Sequence, residues 1–170
     1  LWDPPTAKQA FRKAMEIAHG AGRKVALTLS DAFCVDRYRG EFRDLVDHSI
    51  DILFANEAEI MSLYETESFE EALRAVRATG TLTALTRGEK GSVIVNGDEV
   101  HAIDCEPVEH LVDTTGAGDQ FAAGFLHGLC SGSDLATCGR LGGIAAAEII
   151  SHYGARPRVS LAELARSKGL

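Results

Sequence analysis

The residues Gly116-Ala117-Gly118-Asp119 put two glycines and a carboxylate where a polar connection gives way to an alanine-rich apolar run, Gln120 to Leu129. Glycine has no Cβ, so the backbone bends tightly there and a ligand can come close. The apolar spacing predicts a helix beginning beside the turn. Its unpaired N–H groups and its dipole favour an anion. A carboxylate beside an anion cradle suits phosphoryl transfer onto a hydroxyl whose proton must leave. Spacing then tests the rivals. A dinucleotide fingerprint G-x-G-x-x-G needs glycine at position 121, where Phe121 stands. Neither a P-loop nor a G-x-S-x-G nucleophile elbow occurs in the chain. A non-P-loop phosphoryl transferase remains.

Two further stretches have the right chemistry. Asn56-Glu57-Ala58-Glu59 follows the short apolar run Ile52-Leu53-Phe54. Asparagine with glutamate three residues on is the spacing of a capping box. The same pair, just past a strand's carboxyl end, could hold a hydrated Mg²⁺ through water, because Mg²⁺ takes few direct protein ligands. Thr86-Arg87-Gly88-Glu89-Lys90-Gly91 lies between two apolar runs. It reads either as a hairpin turn or as a phosphate-contacting loop, with Thr86 and backbone amides touching nucleotide. The six histidines make no H-x-x-x-H pair, and the four cysteines, Cys34, Cys105, Cys130 and Cys138, make no C-x-x-C. No zinc site is expected, and reduced thiols suit a cytoplasmic protein.

Composition bounds the class. The chain has 170 residues, 45% hydrophobic and 25% charged, with a formal net charge of -8. Those are globular values, and a chain of this length buries roughly 70% of its unfolded surface. The acidic balance argues against an extended nucleic-acid surface. No apolar run of about 18 residues is present, so no membrane span is expected, and no signal peptide is visible.

The elements that must position these residues alternate between helix and strand. Pro4 and Pro5 suit a helix start. Ala7, Ala10, Phe11, Ala14, Ile17 and Ala18 recur at helical spacing up to Gly20 and Gly22. Leu1 and Trp2 read as the tail of a buried strand, Val25 to Leu29 as a strand, and Ser30 to Gly40 as a polar surface loop. Glu41 to His48 reads as a short helix, Asp51 to Ala55 as a strand, Phe69 to Thr79 as a helix and Leu82 to Thr86 as a strand. Met61 and Tyr64 are expected to pack. Asn96-Gly97 signals a hairpin joining 92–95 to 99–103, an antiparallel pair at the edge of an otherwise parallel sheet. Phe121, Phe125, Leu126 and Leu129 mark a core helix in which Gly124 and Gly128 allow close packing. A second long helix runs from about Leu135 to His152, with Gly142 and Gly143 letting its backbone approach a partner. Leu161 to Arg166 forms a last amphipathic turn or two. No internal repeat, low-complexity tract or polar linker interrupts the series.

The stretch Asp113-Thr114-Thr115-Gly116-Ala117-Gly118-Asp119-Gln120-Phe121 resembles the D-T-x-G-A-G-D-x-F signature of the ribokinase-like carbohydrate kinases, the PfkB family, and matches every fixed position. Asn56 to Glu59 is similar to that family's N-x-x-E motif, and Thr86 to Gly91 to its T-x-G-x-x-G nucleotide loop. The three occur in the family's order. The resemblance implies a three-layer αβα, Rossmann-like fold with a mostly parallel sheet. It also implies that residues 1–170 are the carboxyl-terminal, ATP-binding half of the kinase domain, without the amino-terminal half and its β lid.

By position, the resemblance makes Asp119 the base that takes the acceptor's proton. Gly116, Ala117 and Gly118 would offer amides to the γ-phosphoryl group. Thr86, Gly88 and Gly91 would meet the nucleotide. Gly143 falls where several relatives carry an asparagine near the adenine, a departure that leaves adenine contacts open. Asn56 and Glu59 would hold Mg²⁺ through water. Asp113, with Thr115 and the backbone near Gly154, would correspond to a monovalent-cation site of the kind K⁺ fills. ATP and Mg²⁺ are the implied cofactors, and a small-molecule nucleoside or sugar is the implied partner. The wording around Leu1-Trp2-Asp3, Asn56 and Ser151 to Pro157 is similar to bacterial members acting on adenosine. A sugar kinase for ribose, fructose or a keto-deoxy sugar acid is the alternative, and a non-catalytic nucleotide-binding module is another. A homodimer stays open, since pairing in the family often runs through the lid. This stretch alone is expected to turn over little, because most of the acceptor pocket would lie elsewhere.

Overall fold

The computed structural model describes residues 2–170. The expectation for Leu1 lies outside them. Trp2 is buried as expected but is not part of a strand. Its indole stacks on Phe11 at 5.8 Å and lies against Phe42 at 5.6 Å. The indole N–H donates to Glu41 at 3.1 Å.

The chain divides into two compact units. The first runs to Ala84 and includes Val95–Glu99; the second comprises Leu85–Ile94 and Val100–Leu170. The elements are α1 (Pro5–Gly20), β1 (Ala26–Thr28), α2 (Ala32–His48), β2 (Ile52–Asn56), α3 (Glu57–Tyr64), α4 (Phe69–Arg77), β3 (Leu82–Thr86), β4 (Ser92–Asn96), β5 (Glu99–Ile103), α5 (Ala117–Cys130), α6 (Leu135–Ile150) and α7 (Leu161–Ser167). The five strands form one mixed, mostly parallel sheet in the order β1-β2-β3-β4-β5. β1 and β2 pair in parallel, with Leu27 opposite Leu53. β4 neighbours both β3 and β5 through connections far shorter than the dozen residues a parallel crossover needs, so it runs antiparallel to each.

In the first unit the core gathers Val35, Leu45, Leu53, Ile60 and Leu63, all essentially inaccessible. Each such aliphatic side chain contributes about 1.5–3 kcal/mol by leaving water. One expectation is corrected here. Within the stretch 30–40 expected as a loop, residues 32–40 are the first half of α2. The Asp31 carboxylate caps that half by accepting the Phe33 N–H at 2.8 Å. Arg39 ties it down, donating to the Ser62 carbonyl at 2.9 Å and to Glu65 and Asp36 at 3.0 and 2.6 Å. The break the sequence suggested near Glu41 survives as a kink at Tyr38, where the backbone leaves helical values (φ -122°, ψ 25°).

In the second unit α5 and α6 meet backbone to backbone. A Cβ on Gly124 would stand 2.5 Å from the Leu141 carbonyl oxygen, and one on Gly142 would stand 2.9 Å from that of Phe121. Gly139 faces Ile94 and Ile103, which seats α6 on β4 and β5. The expected packing role of Gly124, Gly128 and Gly142 is borne out. Phe121 and Phe125 are buried, with rings stacked at 6.5 Å, while Leu126 and Leu129 are half-buried.

Candidate active site

Gly116 is the N-cap of α5 and has φ +82°, a backbone state L side chains rarely adopt. A Cβ there would also press within 2.8 Å of the Ala155 side chain, so the fold itself demands glycine. The Ala117 N–H donates to the Thr114 carbonyl at 3.1 Å, which commits that amide to the turn. The Gly118 and Asp119 amides head the helix, where no intrahelical carbonyl precedes them. A Cβ on Gly118 would meet nothing within 4 Å. Asp119 is exposed in the first turn. The arrangement is a helix head able to receive an anion, with a carboxylate alongside.

Asp113 and Thr115 stand together as expected. The Asp113 Oδ1 accepts the Thr115 N–H at 3.0 Å and the Thr115 hydroxyl at 2.7 Å. The Thr115 hydroxyl and amide, with the Gly154 amide, hold the Asp113 carboxyl below the usual carboxylate range. The turn thus rests on residues 150–158. The amides of Val112 and Asp113 both point at the Ile150 carbonyl, at 2.8 and 3.4 Å.

Sequence reasoning missed what secures that support. Glu148 and His152 are each only 9% exposed, and the Glu148 Oε1 faces His152 Nε2 at 3.0 Å. The same oxygen accepts the Arg158 N–H at 2.8 Å. The signal was present as an i, i+4 pair at the end of a helix, a spacing that brings side chains together.

In the 86–91 turn the Arg87 N–H donates to the Gly91 carbonyl at 2.8 Å, and residues 88–90 form one 3₁₀ turn. Gly88 and Gly91 have φ +59° and +79°, and a Cβ on Gly91 would collide with the Ile103 carbonyl oxygen. The hairpin reading therefore explains both glycines. Thr86 closes β3 and is half-buried. Gly143 faces Glu106 at an ordinary 3.9 Å, and Glu106 is held by Lys168 Nζ at 2.7 Å.

Asn56 and Glu59 lie in the first unit and form the full capping box. Asn56 Oδ1 accepts the Glu59 N–H at 2.8 Å. Glu59 Oε2 accepts the Asn56 N–H at 2.9 Å, and Oε1 accepts the Asn56 side-chain amide at 2.8 Å. Glu59 is 6% exposed. Burial pushes its carboxyl above the usual range, and the negative charge of Asp31 adds to that. Each of its oxygens keeps a further lone pair, as a water-held Mg²⁺ would need. Among the described residues no three His, Cys, Asp or Glu side chains cluster as metal ligands. Also among them, no helix is long and apolar enough to cross a membrane.

Relatives with this geometry are kinases by name. The structure superposes on the adenosine kinase of Sinorhizobium meliloti with a TM-score of 0.96 at 50% identity, covering 99% of this chain and 52% of that one. It matches a probable sugar kinase of Rhizobium etli equally well, with a TM-score of 0.96 at 49% identity, over 99% of this chain and 52% of that one. A cytidine kinase of Thermococcus kodakarensis is 34% identical over 138 residues, 78% of this chain and 49% of its own length. The chain therefore spans about half the length of these relatives. The family described as pfkB family carbohydrate kinase matches residues 1–161, and the chain belongs to it.

Proposed function

We propose that the protein is an ATP-dependent kinase that transfers the γ-phosphoryl group to a hydroxymethyl group of a nucleoside, adenosine before others. The observation that carries this is the head of α5, where an exposed Asp119 sits beside Gly118, whose Cβ position is open. Asp119 takes the proton of the attacking hydroxyl, and the Gly118 amide, in a turn shaped by Gly116 and Ala117, receives the transferring group. Positioning and charge stabilisation supply most of the catalysis in such reactions. Thr86, Gly88, Gly91 and Gly143 serve the nucleotide. Asn56 and Glu59 hold Mg²⁺ through water, and Asp113 with Thr115 serves a monovalent cation such as K⁺. Adenosine is favoured because a neighbour at 50% identity is named an adenosine kinase. A sugar acceptor is the second reading, supported by the neighbour at 49% identity named a probable sugar kinase. The chain acts as the ATP-binding half of a longer cytoplasmic polypeptide, whose other half completes the acceptor pocket and whose lid would carry any homodimer.

The test is phosphorylation by the full-length protein of adenosine, other nucleosides and a sugar panel, with ATP and Mg²⁺, with and without K⁺. Adenosine is expected to give the highest kcat/KM. Asp119→Asn is expected to lower kcat by about 10²–10⁴, the usual contribution of a general base. No phosphorylation of any acceptor by the wild type, or unchanged turnover by the variant, would refute the reading.

A further inference from the structure

The buried carboxylate of Glu148 takes no part in the chemistry above, yet its hydrogen bonds all go to the segment behind the α5 head. Its Oε1 faces His152 Nε2 at 3.0 Å and accepts the Arg158 N–H at 2.8 Å. Its Oε2 is buried with no hydrogen-bond partner among the described residues. A buried oxygen left in that state is costly, and the contacts that offset the cost are all on the other oxygen. Those two bonds fix both ends of residues 152–158. His152 Nδ1 faces the Tyr153 carbonyl at 3.2 Å, and Arg158 Nη2 donates to the same carbonyl at 3.0 Å. The middle of the segment touches the catalytic turn directly. Ala155 backs Gly116 so closely that a Cβ there would be 2.8 Å away, and the Gly154 amide is near enough to help hold the Asp113 carboxyl below the usual range.

We propose that Glu148, through His152 and the Arg158 amide, is a positioning residue for the Asp113–Asp119 turn. Cutting the segment loose removes the wall behind Gly116 and moves the Gly154 amide away from Asp113. The α5 head then samples positions in which its amides and Asp119 no longer converge on one point. Loss of alignment of this kind lowers turnover while leaving binding of the distant parts of a substrate intact.

The kinetic half of the test rests on the phosphotransfer reading, and the exchange half does not. In the full-length protein, Glu148→Ala is compared with Glu148→Gln, whose amide oxygen can still accept the Arg158 N–H. By amide hydrogen exchange, Glu148→Ala is expected to speed exchange about tenfold in both 152–158 and 113–119, with β3 and β4 unchanged, as local opening permits. It is expected to lower kcat about tenfold with KM for the acceptor within about twofold. Glu148→Gln is expected to restore most of both. If Glu148→Ala fails to fold, His152→Gln supplies the same comparison from the other end of the bond. Unchanged exchange in 113–119 overturns the proposal. So does faster exchange spread evenly over the whole protein, or a glutamine variant as damaged as the alanine one. A wild type that phosphorylates nothing sinks the kinase reading while the exchange result still decides the positioning role.

Discussion

Gly118→Ala separates what the fold requires from what a ligand requires. Gly118 is the second residue of α5, its φ lies outside the left-handed range, and a Cβ there would meet nothing within 4 Å. Glycine to alanine at a compatible helical position stabilises by about 0.4–1 kcal/mol, chiefly by restricting the unfolded chain. No steric term opposes that gain here. If the transferring phosphoryl group approaches the Gly118 amide, the new methyl group stands in its path. Losing one such donor lowers kcat by about 10²–10³. The expected result is thus a variant at least as stable as the wild type by urea denaturation, with turnover reduced at least about a hundredfold. Gly116→Ala cannot make this separation, because its φ of +82° and the Ala155 side chain 2.8 Å away damage the fold as well. Turnover of Gly118→Ala within about twofold of the wild type would refute the backbone approach at this position.

Two further outcomes follow from packing and charge. Gly124→Ala forces a methyl group to within 2.5 Å of the Leu141 carbonyl oxygen, backbone that has no rotamer to move aside. Overpacking of this kind costs about 1–3 kcal/mol, and urea denaturation showing a loss below about 0.5 kcal/mol would mean that α5 and α6 are not locked as described. Glu59 has a folded-state carboxyl raised by burial, so the native state holds its proton at pH values where the unfolded state has released it. That contribution is full below the ordinary glutamate range and is lost as pH rises through the raised folded value. The melting temperature of Glu59→Gln should accordingly decline less than that of the wild type as pH rises through that window. Parallel pH profiles would remove Glu59 as the source.

The elements legible in the sequence were those whose local signals agreed with their burial. The Asn56–Glu59 spacing specified a capping box because both partners lie within one turn of each other. The glycines of α5 and α6 announced close helix packing because helix interiors disfavour glycine without such a reason. The first half of α2 was missed because Asp31, Asp36, Arg37 and Arg39 mask a helix that buries only Val35 there. Its signals were the Asp31 cap and the seven-residue interval from Val35 to Phe42. The i, i+4 spacing of Glu148 and His152 signals that they meet but not that they are buried, for a related reason. A charged residue near a helix end reads as solvent-facing until the returning segment that covers it is seen. Gly88 and Gly91 show the opposite limit, since the hairpin accounts for both and the pattern alone cannot separate a fold requirement from a nucleotide requirement.

The contact between α5 and α6 has a mechanical consequence. Side chains that interdigitate can hop between rotamers and let helices slide, whereas main chain against main chain offers no such intermediate states. Asp119 is carried on one of these two helices, so its bearing is set by a joint that behaves like a weld rather than a hinge. On the proposed phosphotransfer reading, adjustment to acceptors of different size falls to the loops around the helix head and to the part of the acceptor pocket outside this chain, and mutations that widen acceptor choice are expected there and not in the seam of Gly124, Gly128 and Gly142.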